Sequence, residues 1–569
     1  MIQPADFLVL TLILLSALIA GRLLTPHIVK IFTHTPSRLD RFLDPIESRI
    51  YRLLGVDPIH GMGWREYFLT ALIVNIFQMT LAFVIFVFQG GLPLNPQGFP
   101  GFSLDLAFMQ VISFATNTNL QHYNGEGNCN QLPNCSTPSN VPGLSYLSQM
   151  TAVQFLQFTS AATGICVAAA LIRGFAANSR HMGNFYVDFV RSLTRLLFPL
   201  CFISALIFVG LGVPQTLSGY QTVQTLEGAT QTILVGPVAS LVSIMQLGTN
   251  GGGYYGANSA YPFQNPNPAS DIFQIFLMLL IPTALCFVYG HMLGKRREAR
   301  PILWGAYGLF AIDLLIAFIP NYSLGQGMEV RFGGFFTTFW TLVTTAVTTG
   351  SVNSSLFGNH PLVILSAFMG MLIQSTPGGK GVGVMYLVMY IVITVFIVGL
   401  MSGRTPEYLG MKINARDVKL VMVAFLVHPI IILVPTVLAY ATGAASAIGI
   451  CVNCPSASTG FTQIFYEFTS AAANNGSDFL GATGNTPFFN ISTGLVMFIG
   501  RYAPIGLLLA LAGSMINRRR STEIGLKTDS ITFTLVLIGS ILLLVVLTFF
   551  PFLALGPILE QFQKRLNGF

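Results

Sequence analysis

Four short runs of small, hydroxyl and amide residues stand apart from the rest of the chain: Thr116-Asn117-Thr118-Asn119, Thr249-Asn250-Gly251-Gly252-Gly253, Thr348-Thr349-Gly350-Ser351 and Asn474-Asn475-Gly476-Ser477. None contains a carboxylate. What they offer is oxygen. Glycine permits dihedrals that turn successive carbonyls toward a common axis, while Thr and Asn add further oxygens or brace the loop from behind. Rings of such carbonyls replace the hydration shell of an alkali cation, and they need no ring of acids to do so.

Groups of this kind must be held at membrane depth, and the neighbouring sequence provides for it. Each run follows a short, mostly apolar stretch, namely Leu104 to Phe114, Pro237 to Leu247, Phe335 to Val347 and Phe461 to Ala472, and each precedes a longer apolar span. At about 1.5 Å per residue the short stretches cover roughly half a bilayer, which marks them as re-entrant half-helices with their negative C-terminal ends toward the ion. Non-helical backbone is tolerated at that depth only inside protein or beside a water-filled path, so four such segments around one axis make a pore. A single run could be an outer loop rich in turn residues; four at matching positions are an internal repeat.

Composition agrees. The chain has 569 residues, of which 53% are hydrophobic and only 9% charged, against roughly 25% charged in soluble proteins. Apolar spans recur at 5–24, 67–89, 149–172, 192–213, 272–294, 301–320, 361–403 with a break, 418–440, 489–516 and 531–552, leaving no room for a soluble domain. The fold class expected is an all-α polytopic membrane protein with ten transmembrane helices. It is a single membrane domain over 1–569: an extra first span, repeats at 67–172, 192–294, 301–403 and 418–516, and an extra last span at 531–552. The net charge of +7 sits in short loops between spans, which argues for membrane orientation and against nucleic acid. The connections at 90–148, 214–271, 321–360 and 441–488 hold only Arg331 as a basic residue, so the positive-inside bias puts them, and both termini, outside. Asp6 precedes the first apolar run and no small-residue cleavage site follows, so that run is expected to be an uncleaved span.

Further motifs carry a resemblance. Leu247-Gly248-Thr249-Asn250-Gly251-Gly252-Gly253 with Ala257-Asn258-Ser259, Gly403-Arg404-Thr405-Pro406-Glu407-Tyr408-Leu409-Gly410, Ser160-Ala161-Ala162-Thr163-Gly164 and Ile172-Arg173-Gly174-Phe175 together resemble the KdpA family, essentially over the whole chain. The single helices before and after the four repeats strengthen it, because the related Trk, Ktr and HKT transporters centre on the repeats alone. The resemblance implies a channel-like subunit of an ATP-driven potassium import pump. It implies a filter for K+, the transported ion, of Asn117, Thr118 and Asn119, Thr249, Asn250 and Gly251, Thr348, Thr349 and Gly350, and Asn474, Asn475 and Gly476, with Gln121 and Arg501 near the ion path. It implies a KdpB-like P-type ATPase catalytic subunit, a KdpC-like subunit and a small KdpF-like peptide as partners, in lipid, in a bacterial or archaeal plasma membrane. The rival reading is a self-sufficient Trk- or Ktr-like channel or cation symporter. Two departures stand out: Asn119 replaces the Gly of the other segments, making fourfold symmetry approximate, and Gln374 stands where many family members carry Glu.

No Asp-Lys-Thr-Gly segment of the phosphorylated P-type kind is present, so ATP chemistry belongs to another chain, and no cofactor is implied. Pro377-Gly378-Gly379-Lys380-Gly381 imitates a phosphate loop, but Gly381 stands where Ser or Thr is required. Lys380 is instead a charge deep in the broken 361–403 span, expected to face a polar cavity or a partner, as a guard below the filter or as a structural cation. Cys129 with Cys135 and Cys451 with Cys454 lie in outer connections and are expected to form disulfides, with free thiols as the other reading.

Overall fold

The computed structural model describes residues 4–37, 39–127, 142–176, 180–320, 329–447, 457–516, 518–520 and 526–566. Cys129, Cys135, Cys451 and Cys454 lie outside the described residues, while Cys166, Cys201 and Cys286 are buried free thiols.

Among the described residues ten helices are long and apolar enough to cross a bilayer: span 1 Pro4–Thr33, span 2 Trp64–Gly91, span 3 Tyr146–Phe175, span 4 Phe185–Gly210, span 5 Pro268–Met292, span 6 Arg296–Ala317, span 7 Val382–Met401, span 8 Ala415–Ala441, span 9 Pro487–Met515 and span 10 Ile531–Gln563. Ahead of the four polar runs lie shorter helices, Leu104–Ala115, Val238–Leu247, Gly333–Ala346 and Ala457–Ala472. At 1.5 Å per residue these reach about 15 to 24 Å, short of the roughly 30 Å hydrocarbon core. The break expected within 361–403 is real: Pro361–Ile373 ends at Gln374, which turns left-handed, and regular helix resumes only at Val382.

Burial sorts the spans into an inner and an outer set. The most apolar stretches of spans 3, 5, 7 and 9 are 94, 78, 72 and 67% buried, those of spans 2, 4, 6 and 8 only 33, 33, 50 and 50%, and those of spans 1 and 10 are 22 and 33%. Each span directly after a short helix and its polar run is therefore inner, apart from the third, where Pro361–Ile373 intervenes before span 7. Leu8, Leu12, Ile19 and Leu23 on span 1 and Leu543 and Leu547 on span 10 point outward, as lipid requires.

Buried ion pairs knit the side that carries the basic loops. Arg173 of the Ile172-Arg173-Gly174-Phe175 motif holds Asp188 through both guanidinium nitrogens, at 2.5 and 2.8 Å, and also donates to the Phe32 and Met182 carbonyls, while the Tyr67 hydroxyl donates to the same carboxylate. Four spans meet there. A second network pins an amphipathic helix, Asp40–Leu53, that hydropathy alone does not reveal: Arg195 grips Glu47 through Nε and Nη2, both at 2.7 Å, and also pairs with Asp40 and Asp44. Arg195→Met would leave the Glu47 carboxylate buried with a weakened set of partners, and should lower unfolding stability in detergent by about 3 kcal/mol. Thermal unfolding of purified protein measures it; an unchanged midpoint would refute the assignment.

Among the described residues the helical fold admits two small antiparallel hairpins, Gln221–Gln224 with Thr230–Ile233 and Glu407–Tyr408 with Met411–Lys412. The second explains the Gly403 to Gly410 motif. Leu409 and Gly410 both have positive φ, 54 and 81°, which makes the two-residue turn that matches strand twist, and it places the Tyr408 hydroxyl against that of Tyr289 at 2.5 Å. On the opposite side Arg331 donates to the Asn265 and Ala260 carbonyls, both at 2.7 Å, stapling two connections together.

Candidate functional site

The four short helices end alike. One residue past each cap the backbone turns left-handed, at Asn117, Thr249, Thr348 and Asn474, with φ of 65, 42, 47 and 50°. The N–H of that residue donates three positions back, to Phe114, Gln246, Thr345 and Ala471, at 3.1 to 3.3 Å. The next N–H donates five back: Thr118 to Ser113, Asn250 to Met245, Thr349 to Thr344 and Asn475 to Ser470, at 2.7 to 2.9 Å. This pair of bonds is the Schellman closure, repeated four times. Glycine or Asn normally takes the left-handed place; Thr there is a steric outlier that costs about 1 to 3 kcal/mol and persists only where the surroundings enforce it.

The closures bring the expected residues together. A Cβ placed on Gly251 would sit 2.7 Å from the Thr118 carbonyl oxygen, 2.7 Å from that of Thr349 and 2.9 Å from that of Asn475. Those three residues match one another and Asn250, one position before Gly251, so one small space beside Gly251 is bounded by backbone oxygens from the other three segments. Asn119 adopts φ 58°, in line with Gly350 at 89° and Gly476 at 103°, so an Asn occupies the left-handed place without disturbing the pattern. The asymmetry lies in the second segment instead, where Gly251 does not take positive φ.

Side chains brace this backbone from behind. Asn117 Nδ2 donates to the Thr249 carbonyl at 2.6 Å, Asn475 Nδ2 to Thr344 O at 2.9 Å, and Asn474 Nδ2 to Thr118 Oγ1 at 2.9 Å. Gln121 clamps Gly253 in both directions, donating to its carbonyl at 3.2 Å and accepting from its N–H at 3.3 Å. Several bracing residues were not singled out in the sequence. Ser160 donates to Asn117 Oδ1 and Asn250 Oδ1, Gln157 to the Gly252 carbonyl, and Trp340 to the Ser351 carbonyl. The motif at 160–164 held the signal for Ser160. Asp478, just past the fourth run, lines a small cavity of about 50 Å³ with Gln121, Gly350 and Gly476. Burial, reinforced by Glu467, pushes the Asp478 carboxyl above its usual range.

Lys380 lies beside these segments, and Arg501 beside Ser160, which braces them. The Lys380 N–H approaches Thr249 Oγ1 at 3.4 Å, and Gly379 packs against Thr348 Oγ1, so the broken span presses on the strained Thr of two segments. The ammonium of Lys380 is buried with no hydrogen-bond partner among the described residues. Arg501 Nη2 donates to the Ser160 carbonyl at 3.3 Å. Gly164 separates the two: a Cβ there would meet the Lys380 carbonyl at 2.4 Å and Arg501 Nη2 at 3.0 Å. Gln374 caps Pro361–Ile373 and donates to His428 at 2.9 Å.

His122 follows Gln121 and is wholly buried, with Nε2 3.1 Å from Glu467 Oε1 and Nδ1 2.7 Å from Asn490 Oδ1. Both ring nitrogens face acceptors, which suits the doubly protonated ring. Burial alone would depress its pKa, but the bond and charge of Glu467 outweigh burial and hold it above the usual 6.5. A raised folded-state value stabilises fully below pH 6.5 and is lost as pH climbs through that raised value. The difference in melting temperature between the native chain and His122→Gln should therefore be largest in mild acid and shrink in alkali; a difference flat with pH would contradict the pairing.

Comparison with known proteins bears on the same residues. The profile of the KdpA family, described as the potassium-transporting ATPase A subunit, matches residues 9–562. A protein of Alicyclobacillus acidocaldarius, named potassium-transporting ATPase potassium-binding subunit, is 45% identical over 576 residues, covering 98% of this chain and 99% of that one. A protein of the same name from Caldanaerobacter subterraneus subsp. tengcongensis is 43% identical over 557 residues, covering 94 and 95%. With a match across nearly its whole length, on helices that bring four carbonyl-bearing segments to one place, the chain belongs to the KdpA family of potassium-transporting ATPase A subunits.

Proposed function

We propose that this chain is the potassium-binding, channel-like subunit of an ATP-driven potassium import pump, and that the four runs form its selectivity filter. The observation that carries the reading is the crowding of three carbonyl oxygens from three segments within 2.9 Å of one point on Gly251 of the fourth. Such a cage can exchange for the water shell of a potassium ion, and four helix C-termini around it add a favourable field of about half a charge each. Thr118, Asn250, Thr349 and Asn475 supply the central oxygens, and the remaining residues of each run shape the path on either side. The names of the two relatives support an ATPase partner, to which the ion would pass; a KdpC-like subunit and a small KdpF-like peptide complete the assembly by family resemblance.

The orientation that follows places the Asp478 mouth on the outer face of a bacterial or archaeal plasma membrane, with both termini on that face. The basic-loop asymmetry and the even number of spans support it. Potassium-stimulated ATP hydrolysis by the chain assembled with its catalytic subunit tests the function. Stimulation by potassium well above that by sodium is expected. Potassium uptake by this chain in liposomes without any ATPase would overturn the reading in favour of a self-sufficient channel.

A further inference from the structure

We propose that the groove between spans 6 and 10 binds an anionic phospholipid, with its phosphate on Arg297, Arg300 and Lys527 and an acyl chain along Trp304, Leu535 and Ile538. The groove encloses about 760 Å³. Arg297, Arg300 and Lys527 are exposed at one end of it, and none takes part in an ion pair among the described residues, whereas Arg173, Arg195 and Arg518 all do. Asp529 is the acidic residue that lines the groove, and the nearby Glu298 is occupied by the Thr528 hydroxyl at 2.9 Å. Three cations against one carboxylate leave an excess of positive charge at this end of the groove among the described residues.

The geometry is that of one membrane leaflet. Arg297, Arg300, Trp304 and Gly308 fall on one face of span 6, and Ile531, Leu535 and Ile538 on the facing side of span 10. The groove closes where Gly308 meets Ile538, close enough that a Cβ on Gly308 would lie 2.7 Å from Ile538 Cδ1. From Arg297 to Gly308 the helix rises about 16 Å, roughly half the hydrocarbon thickness. Along that length the lining changes from cationic, through Trp304 at 58% exposure, to aliphatic. A polypeptide helix crossing the bilayer has no reason to be charged at one end and stop at mid-depth; a phospholipid has that length and that polarity profile, and basic pockets between helices on this side of a membrane suit phosphate head groups. Arginine forks also match phosphate oxygens two at a time. The inference rests on the chain spanning a membrane and is independent of the filter.

The test uses the assembled complex in phosphatidylcholine nanodiscs doped with phosphatidylglycerol or with cardiolipin, with retained lipid counted by native mass spectrometry. The native complex should retain the anionic lipid, and R297Q/R300Q should bind it about thirtyfold more weakly, at about one kcal/mol per surface cation. The control R404Q/K419Q removes equal charge from outside the groove and should leave retention unchanged. Equal loss in both variants would reduce the effect to bulk attraction and overturn the site. Benzoylphenylalanine in place of Leu535 supplies the second arm: a photoadduct to lipid is expected, and an adduct to another subunit would overturn lipid as the occupant. Potassium-stimulated ATP hydrolysis, followed in parallel, reports on the filter, so failure of one proposal is not mistaken for failure of the other.

Discussion

Gly251→Asp should cost the assembled pump about tenfold or more in apparent potassium affinity, and should let rubidium or sodium stimulate ATP hydrolysis comparably. The reason is steric and electrostatic together. The new Cβ would lie 2.7 to 2.9 Å from three carbonyl oxygens, with backbone on every side and no flexible side chain to yield. The carboxylate beyond it would replace a neutral cage by a charged one, and preference among alkali cations follows from the number and field of the coordinating oxygens. Gly539→Ala is the control, because nothing lies within 4 Å of a Cβ there, and it should behave as the native chain does. Stimulation of ATP hydrolysis across potassium, rubidium and sodium decides the matter. A mutant that folds and keeps the native preference would refute the assignment of this glycine to the filter.

Lys380→Met should raise passive potassium leak through the complex while leaving thermal stability equal or improved. Insertion scales put a lysine at membrane depth at about 2.5 to 3.5 kcal/mol, and here the ammonium is buried without a hydrogen-bond partner among the described residues, so removing it relieves a cost. Its backbone touches the second polar run through Thr249, and its neighbour Gly379 touches the third through Thr348. A positive charge held there would repel potassium from a straight route across the membrane. Leak is read from potassium-loaded proteoliposomes without ATP. A structural lysine would give the opposite pattern, with loss of stability or assembly and no leak, and a tight, fully stable mutant would exclude both roles.

The four polar runs and the short helices before them were readable because each obeys a local rule: half the length of a span, then residues that stop a helix. The break after Ile373 was readable from Pro377 and the glycines for the same reason. What was not readable is the left-handed turn at Thr249 and Thr348. Local preference argues against β-branched residues there, and only the packing of neighbouring segments, including the Lys380 loop, holds them in place. The Asn119 substitution looked like the flaw in the symmetry, yet Asn tolerates positive φ, and it is Gly251 that departs from it. The pairing of His122 with Glu467 joins residues 345 apart and has no sequence signature.

Sequence alone determined the number of spans, their apolar character and the four oxygen-bearing runs, since lipid imposes length and hydropathy on every crossing segment regardless of its neighbours. It could not determine which spans are inner and which face lipid, because the interior of a helical bundle and a bilayer are both apolar, and a leucine satisfies either. Tertiary structure decided that order, and with it the meeting of Thr118, Gly251, Thr349 and Asn475 in one space. Carbonyls distant in the chain converge only when inner spans are packed, and no local preference encodes that convergence.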